Sequence, residues 1–128
     1  MEILFIRHGE TDWNREMRIQ GGIAKIDINS CGVRQAELTR DGLVAAGFMF
    51  DRAFVSPYPR ARHTAEILAA PHGVEPIVDN RLHEINFGPY EGTSISARRS
   101  SALFFSSQIR SSSSAIRFCS GSAGRGIC

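Results

Sequence analysis

All thirteen acidic residues of this 128-residue chain lie within its first 92 positions, and none follows Glu91. Those 92 residues carry ten Lys and Arg, for a net charge of −3, whereas residues 93–128 carry five arginines and no acid, for a net charge of +5. The second stretch also holds 12 serines, four of them in a row from Ser111. So few large side chains offer little burial to offset the entropy of ordering, which predicts a disordered Ser/Arg-rich tail. An abrupt loss of acids and apolar periodicity is also what a frameshifted continuation produces. The chain has room for one compact domain and not two, and the part that reads as ordered is residues 1–92.

The tail arginines, Arg98, Arg99, Arg110, Arg117 and Arg125, are spread without a repeat. That is a weak basis for binding nucleic acid or anionic lipid, and neither partner is expected. Hydrophobic residues at 42% and charged residues at 22% fit an ordinary globular chain and exclude collagenous or disulfide-dense classes. The apolar run 3–6 is bounded by Glu2 and Arg7, too short for a signal segment or membrane span. Cys31, Cys119 and Cys128 form no CxxC or metal-ligand spacing, so a reducing cytoplasm is the expected compartment and no metal site is expected.

Residues 2–6 read as a buried strand running into a loop at Arg7. Asn29 or Ser30 can cap a helix that closes near Gly47, with Val33, Ala36, Leu38, Leu43 and Val44 as its apolar positions and Gly42 weakening it. Residues 52–55 read as a second strand, residues 59–70 as a second helix opened by Pro59, and residues 75–78 as a weaker third strand. Alternating strands and helices imply right-handed crossovers and a mainly parallel sheet, the α/β class in a three-layer α/β/α arrangement. Ligands of such sheets sit at the C-terminal ends of the strands, where both Arg7-His8-Gly9 and Ser56 to Arg60 fall. Trp13, Met17 and Met49 are assigned to packing, and His63, His72 and His83 to surface or packing roles.

Arg7-His8-Gly9-Glu10-Thr11, with Asn14 following, sets a bidentate cation beside a nucleophilic imidazole, and Gly9 lets backbone approach a ligand. A short helix starting near Thr11 would add free N–H groups. Positive charge around a histidine suits phosphoryl transfer through a phosphohistidine, with no metal or cofactor required.

These residues resemble the opening motif of the histidine phosphatase superfamily, the phosphoglycerate mutase-like proteins. Three further stretches follow in the family's order. Residues 27–36 (DINSCGVRQA) are similar to its Pro-Leu-Thr-x-x-Gly-x-x-Gln-Ala segment, with Asp27 in place of the proline. Residues 56–68 (SPYPRARHTAEIL) resemble its Ser-Pro-x-x-Arg-Ala-x-x-Thr-Ala segment, and residues 82–92 (LHEINFGPYEG) its Leu-x-Glu-x-x-Phe-Gly-x-x-Glu-Gly segment.

The resemblance covers residues 1–92 and implies that His8 is the nucleophile and that Arg7 and Arg60, assisted by Asn14, bind the phosphate. It implies that Glu84 protonates the leaving oxygen and then activates water. Arg62, two helical positions from Arg60, points about 200° away, so the motif selects Arg60. The expected reaction is hydrolysis of a small phosphomonoester; a cofactor-dependent mutase and an inactive phosphate-binding fragment are the alternatives. The family carries a second catalytic histidine in a late Ser-His-Gly motif, and no histidine follows His83 here. The C-terminal part of the family fold is thus expected to be missing, at a cost of about 10²- to 10³-fold in rate by analogy with losing one oxyanion donor. Oligomeric state and the identity of the substrate are not legible at this level.

Overall fold

The computed structural model describes residues 2–22 and 25–95, together with the backbone of residues 115–120. Strand β1 (Glu2–Arg7) leads into a loop and a one-turn helix α1 (Asp12–Arg15). Helix α2 (Ser30–Ala45), strand β2 (Arg52–Val55), helix α3 (Pro59–Ala69) and the two-residue strand β3 (Ile77–Val78) follow. The last strand, β4 (Ala115–Ser120), belongs to the segment read from sequence as a tail. Ile116 and Phe118 alternate there with Arg117 and Cys119, a period-2 pattern that the serine content conceals. The rest of that segment, residues 96–114 and 121–128, lies outside the described residues.

The sheet order is β1-β4-β2-β3. β4 runs antiparallel to both neighbours and β3 parallel to β2, so three of the four strands point one way. The α/β class with a mainly parallel sheet therefore holds. Of the three layers expected, the described residues supply two. Ala53 and Val55 of β2 pack against Ala61, Ala65, Leu68 and Ala69 of α3, and Phe50, Leu4, Ile6 and Leu43 join that cluster. The opposite sheet face is open among the described residues, with Phe5 58% and Ile77 50% exposed. β1 is thus a half-buried edge strand rather than the fully buried one its apolar run predicts.

Local signals explain the helices. The Asn29 side chain accepts from the Gly32 N–H at 2.9 Å and starts α2, and Pro59 at the first helical position needs no N–H partner and starts α3. On α2 only Gly32 and Ala36 are buried, with Leu43 against the core. At 100° per residue these three fall on one line, whereas Leu38 lies opposite and is exposed, as is Val44. The apolar face read from sequence was too wide. Met17 and Met49 are likewise exposed rather than packed. Met17 adopts φ +54°, and its carbonyl accepts from the Ile95 N–H at 2.8 Å. Two more bonds, Gly92 N–H to Ile19 O and Ile19 N–H to Thr93 O, tie residues 17–19 to residues 92–95. Gly92, at φ +83°, packs against the Trp13 ring, where a Cβ would come within 2.9 Å of it.

Candidate active site

Because β1 and β2 run parallel, their C-terminal ends open on the same side, and His8 and Arg60 come from those two ends. The loop that leaves β1 has Arg7 exposed and His8 and Gly9 buried. It is braced on α2 by close backbone packing: a Cβ on Gly9 would lie 2.5 Å from the Gly32 carbonyl oxygen, and one on Gly32 would lie 2.7 Å from the Glu10 nitrogen. The Glu10 N–H donates to the Gln35 side chain at 2.9 Å, and Asn29 donates both from its backbone to Glu10 O and from its amide to Glu10 Oε1. Neither position tolerates a side chain without separating loop from helix.

The Nδ1–H of His8 donates to the Gly9 carbonyl at 2.7 Å. A carbonyl only accepts, so this bond fixes the proton on Nδ1 and leaves the lone pair of the neutral ring on Nε2. Burial lowers the His8 pKa from its ordinary 6.5 to about 4; the Gly9 bond and Glu84 oppose that shift, while the positive charges of Arg60 and Arg7 reinforce it. At neutral pH the ring is uncharged and nucleophilic.

Arg60 is fully buried at the start of α3, while Arg62 is exposed. Its guanidinium donates to the Gly21 carbonyl at 3.3 Å and to Glu84 Oε2 at 3.4 Å, and lies 4.8 Å from the centre of the Tyr58 ring. Burial pulls its pKa below the usual arginine value, against the pull of the Glu84 carboxylate. Glu84 is itself buried, so the two form an inward ion pair. Asn14 is held differently: its carbonyl oxygen accepts from the Thr11 N–H and hydroxyl in a capping box. Gln20 also donates to the Thr11 hydroxyl.

The structure thus brings His8, Arg60 and Glu84 together in one buried cluster, with Arg7 acting on the His8 ring from the loop's edge. It adds groups that spacing did not single out. Thr64, buried on α3, accepts from the Gly9 N–H at 3.0 Å and donates to the Arg60 carbonyl at 2.7 Å. Tyr58 and the Gly21 carbonyl also lie against Arg60. His63 stays apart, paired with Asp27 at 3.0 Å, and His83 bonds the Glu84 carbonyl. His72 stacks on Phe50 with ring centres 4.1 Å apart.

Residues 3–121 match the histidine phosphatase superfamily (branch 1), so the chain belongs to that family. The match runs past the sequence break at Gly92. Over 90 residues the chain is 37% identical to a probable 2-carboxy-D-arabinitol-1-phosphatase of Arabidopsis thaliana, covering 70% of this chain and 18% of the relative. Over 95 residues it is 36% identical to the probable phosphoglycerate mutase GpmB of Escherichia coli O1:K1, covering 74% and 43%. A solved phosphoserine phosphatase of Entamoeba histolytica, in complex with 3-phosphoglyceric acid, superposes with a TM-score of 0.67 and 33% identity, covering 77% of this chain and 48% of that one. The chain therefore spans less than half the length of each. Its relatives include both phosphatases and mutases. No helix among the described residues is long and apolar enough to cross a membrane.

Proposed function

We propose that this chain transfers a phosphoryl group through a phosphohistidine on His8, most readily in hydrolysing a small phosphomonoester. The observation that carries this reading is the buried His8 ring with its proton fixed on Nδ1 and two arginines acting on it. The lone pair of Nε2 attacks phosphorus, and the phosphorus–oxygen bond to the substrate alcohol breaks. Arg7 and Arg60 take the charge of the phosphoryl oxygens, and the Asn14 NH₂ adds a neutral donor. The Glu84 carboxylate takes a proton from the phosphomonoester monoanion and passes it to the departing oxygen. In the second half, the Glu84 carboxylate removes a proton from water as that water attacks the phosphohistidine; the phosphorus–nitrogen bond breaks and His8 is regenerated. Ester plus water has become alcohol plus phosphate.

The partner in this reading is a small phosphorylated molecule, and the compartment is the cytoplasm. The kinship to both phosphatases and mutases favours a second reading, in which the phosphoryl group returns to a substrate hydroxyl. The Arg60–Glu84 ion pair, which holds an arginine without requiring chemistry, favours a third, a phosphate-binding chain without turnover. One experiment separates them. The full chain is incubated with labelled phosphoserine or 3-phosphoglycerate, and acid-labile label on protein is trapped. The expected result is label that disappears in His8→Ala, with steady phosphate release. Interconversion of phosphoglycerates instead identifies the mutase, and an unlabelled wild-type chain that still binds phosphate sinks the catalytic reading.

A further inference from the structure

Resting on the phosphohistidine reading, we infer that Thr64 is a positioning residue that fixes the nucleophile relative to the phosphate-binding arginine. Three hydrogen bonds run in series from the His8 ring to the backbone of Arg60. His8 Nδ1–H donates to the Gly9 carbonyl at 2.7 Å, the Gly9 N–H donates to Thr64 Oγ1 at 3.0 Å, and Thr64 Oγ1–H donates to the Arg60 carbonyl at 2.7 Å. The hydroxyl has one proton to give and lone pairs to receive, and it does both at once at 2% exposure.

The geometry matters because Gly9 has no side chain to anchor it. A rotation of the peptide between His8 and Gly9 about its flanking dihedrals swings the imidazole, and the packing of Gly9 on Gly32 does not itself hold the N–H of that peptide. Thr64 holds the N–H of that peptide, while Gly9 holds the ring. On the other side, the hydroxyl grips the turn of α3 that begins at Arg60. The strand-end loop and the helix, 55 residues apart in sequence, are thereby locked at one spacing. For an attack on phosphorus held by Arg60, that spacing is the reaction coordinate, and a misplacement of about 1 Å can cost about 10²-fold. The ionisable groups acting on the His8 ring are Arg60, Arg7 and Glu84. None of them is removed by a change at Thr64, so a change in His8 titration there reports its burial and orientation.

The test uses the full chain and the pair Thr64→Val and Thr64→Ser. Valine keeps the shape and loses both hydrogen bonds; serine keeps them and loses a methyl. Formation of phosphohistidine from labelled phosphoserine, scaled to the folded fraction, is expected to fall roughly 10- to 100-fold in Thr64→Val, and Thr64→Ser is expected to recover most of it. The His8 titration midpoint, read from its ring resonances, is expected to rise from about 4 towards 6.5 in the valine variant alone. In the wild-type chain the Gly9 amide is expected to exchange slowly with solvent, which keeps the inference open to refutation even where Thr64→Val does not fold. Equal losses in both variants, an unmoved His8 midpoint in valine, or a Gly9 amide exchanging at open-loop rates each overturn it. A wild-type chain that never acquires label refutes the catalytic reading instead, and the titration and exchange measurements then still decide where Thr64 stands.

Discussion

At His8 the burial that keeps the ring neutral also ties stability to pH. The folded-state pKa of about 4 lies below the ordinary 6.5, so between those values the unfolded chain binds the proton more readily. The contribution is intact above about pH 6.5 and is lost as pH falls towards 4, reaching about 3 kcal/mol. Urea unfolding at pH 7 and pH 4.5 should therefore show a larger acid loss in wild type than in His8→Gln, by roughly 2 to 3 kcal/mol; equal losses would remove the buried neutral ring. Glu84 supports a second expectation. It neutralises the buried Arg60 in the empty site, yet its charge repels the phosphate that Arg60 must hold. Glu84→Gln should lower stability without ligand by about 3 kcal/mol. It should also bind inorganic phosphate about tenfold more tightly in a calorimetric titration, a difference near 1.4 kcal/mol. Weaker phosphate binding in that variant would place Glu84 among the ligand's donors rather than against it. Arg60 was legible because the family motif selects it; the helical repeat said only that Arg60 and Arg62 face apart. Thr64 was not: it reads as one more small residue on an apolar stripe, and the partner that gives its hydroxyl meaning lies 55 positions upstream.

Helix α2 carries two glycines with opposite constraints, which makes it a test of how an element positions the site. Gly32 faces the Glu10 backbone so closely that an added Cβ must displace loop or helix, whereas a Cβ on Gly42 meets nothing within 4 Å. Gly32→Ala should cost about 1 to 3 kcal/mol through overpacking and should also reduce phosphohistidine formation, since the displaced loop carries His8. Gly42→Ala should stabilise by about 0.5 to 1 kcal/mol by restricting the unfolded chain and favouring helix, with catalysis unchanged. Matching stabilities for the two variants would mean that α2 does not press on the nucleophile loop. At this scale the sequence was readable where the signal is local. The side-chain cap at Asn29, Pro59 at the start of α3 and the compact apolar strand 52–55 each mark an element end without tertiary help. Third-strand length was not: residues 75–78 have strand composition, but only Ile77 and Val78 pair with β2. Nor was β4, because its two neighbours are set by long-range pairing rather than by anything adjacent in the chain.

For the molecule as a whole, the consequence of a sheet covered on one side falls on its open face. β1 lies at the sheet edge, and its outward residues Ile3 and Phe5 are 39% and 58% exposed. Across the register Phe5 and Phe54 share a line through Arg117 of β4, and Ile77 pairs beside Phe54, so the apolar positions of β1 and of β2–β3 lie on either side of an arginine position. Exposed apolar side chains on a strand at the sheet edge among the described residues favour association of one copy with another through burial. The chain is therefore expected to self-associate as concentration rises, read as a growing sedimentation coefficient. Phe5→Thr should suppress that growth, because threonine keeps strand propensity while removing most of the apolar area. Stability of the monomer should change by only about 0.5 kcal/mol, since the ring is largely in solvent. Leu4→Ala, one position along the same strand but turned towards α3, should do the reverse, costing about 2 to 3 kcal/mol and leaving the open face as it was. A wild-type chain that sediments as a monomer at every concentration would mean that this face does not drive association.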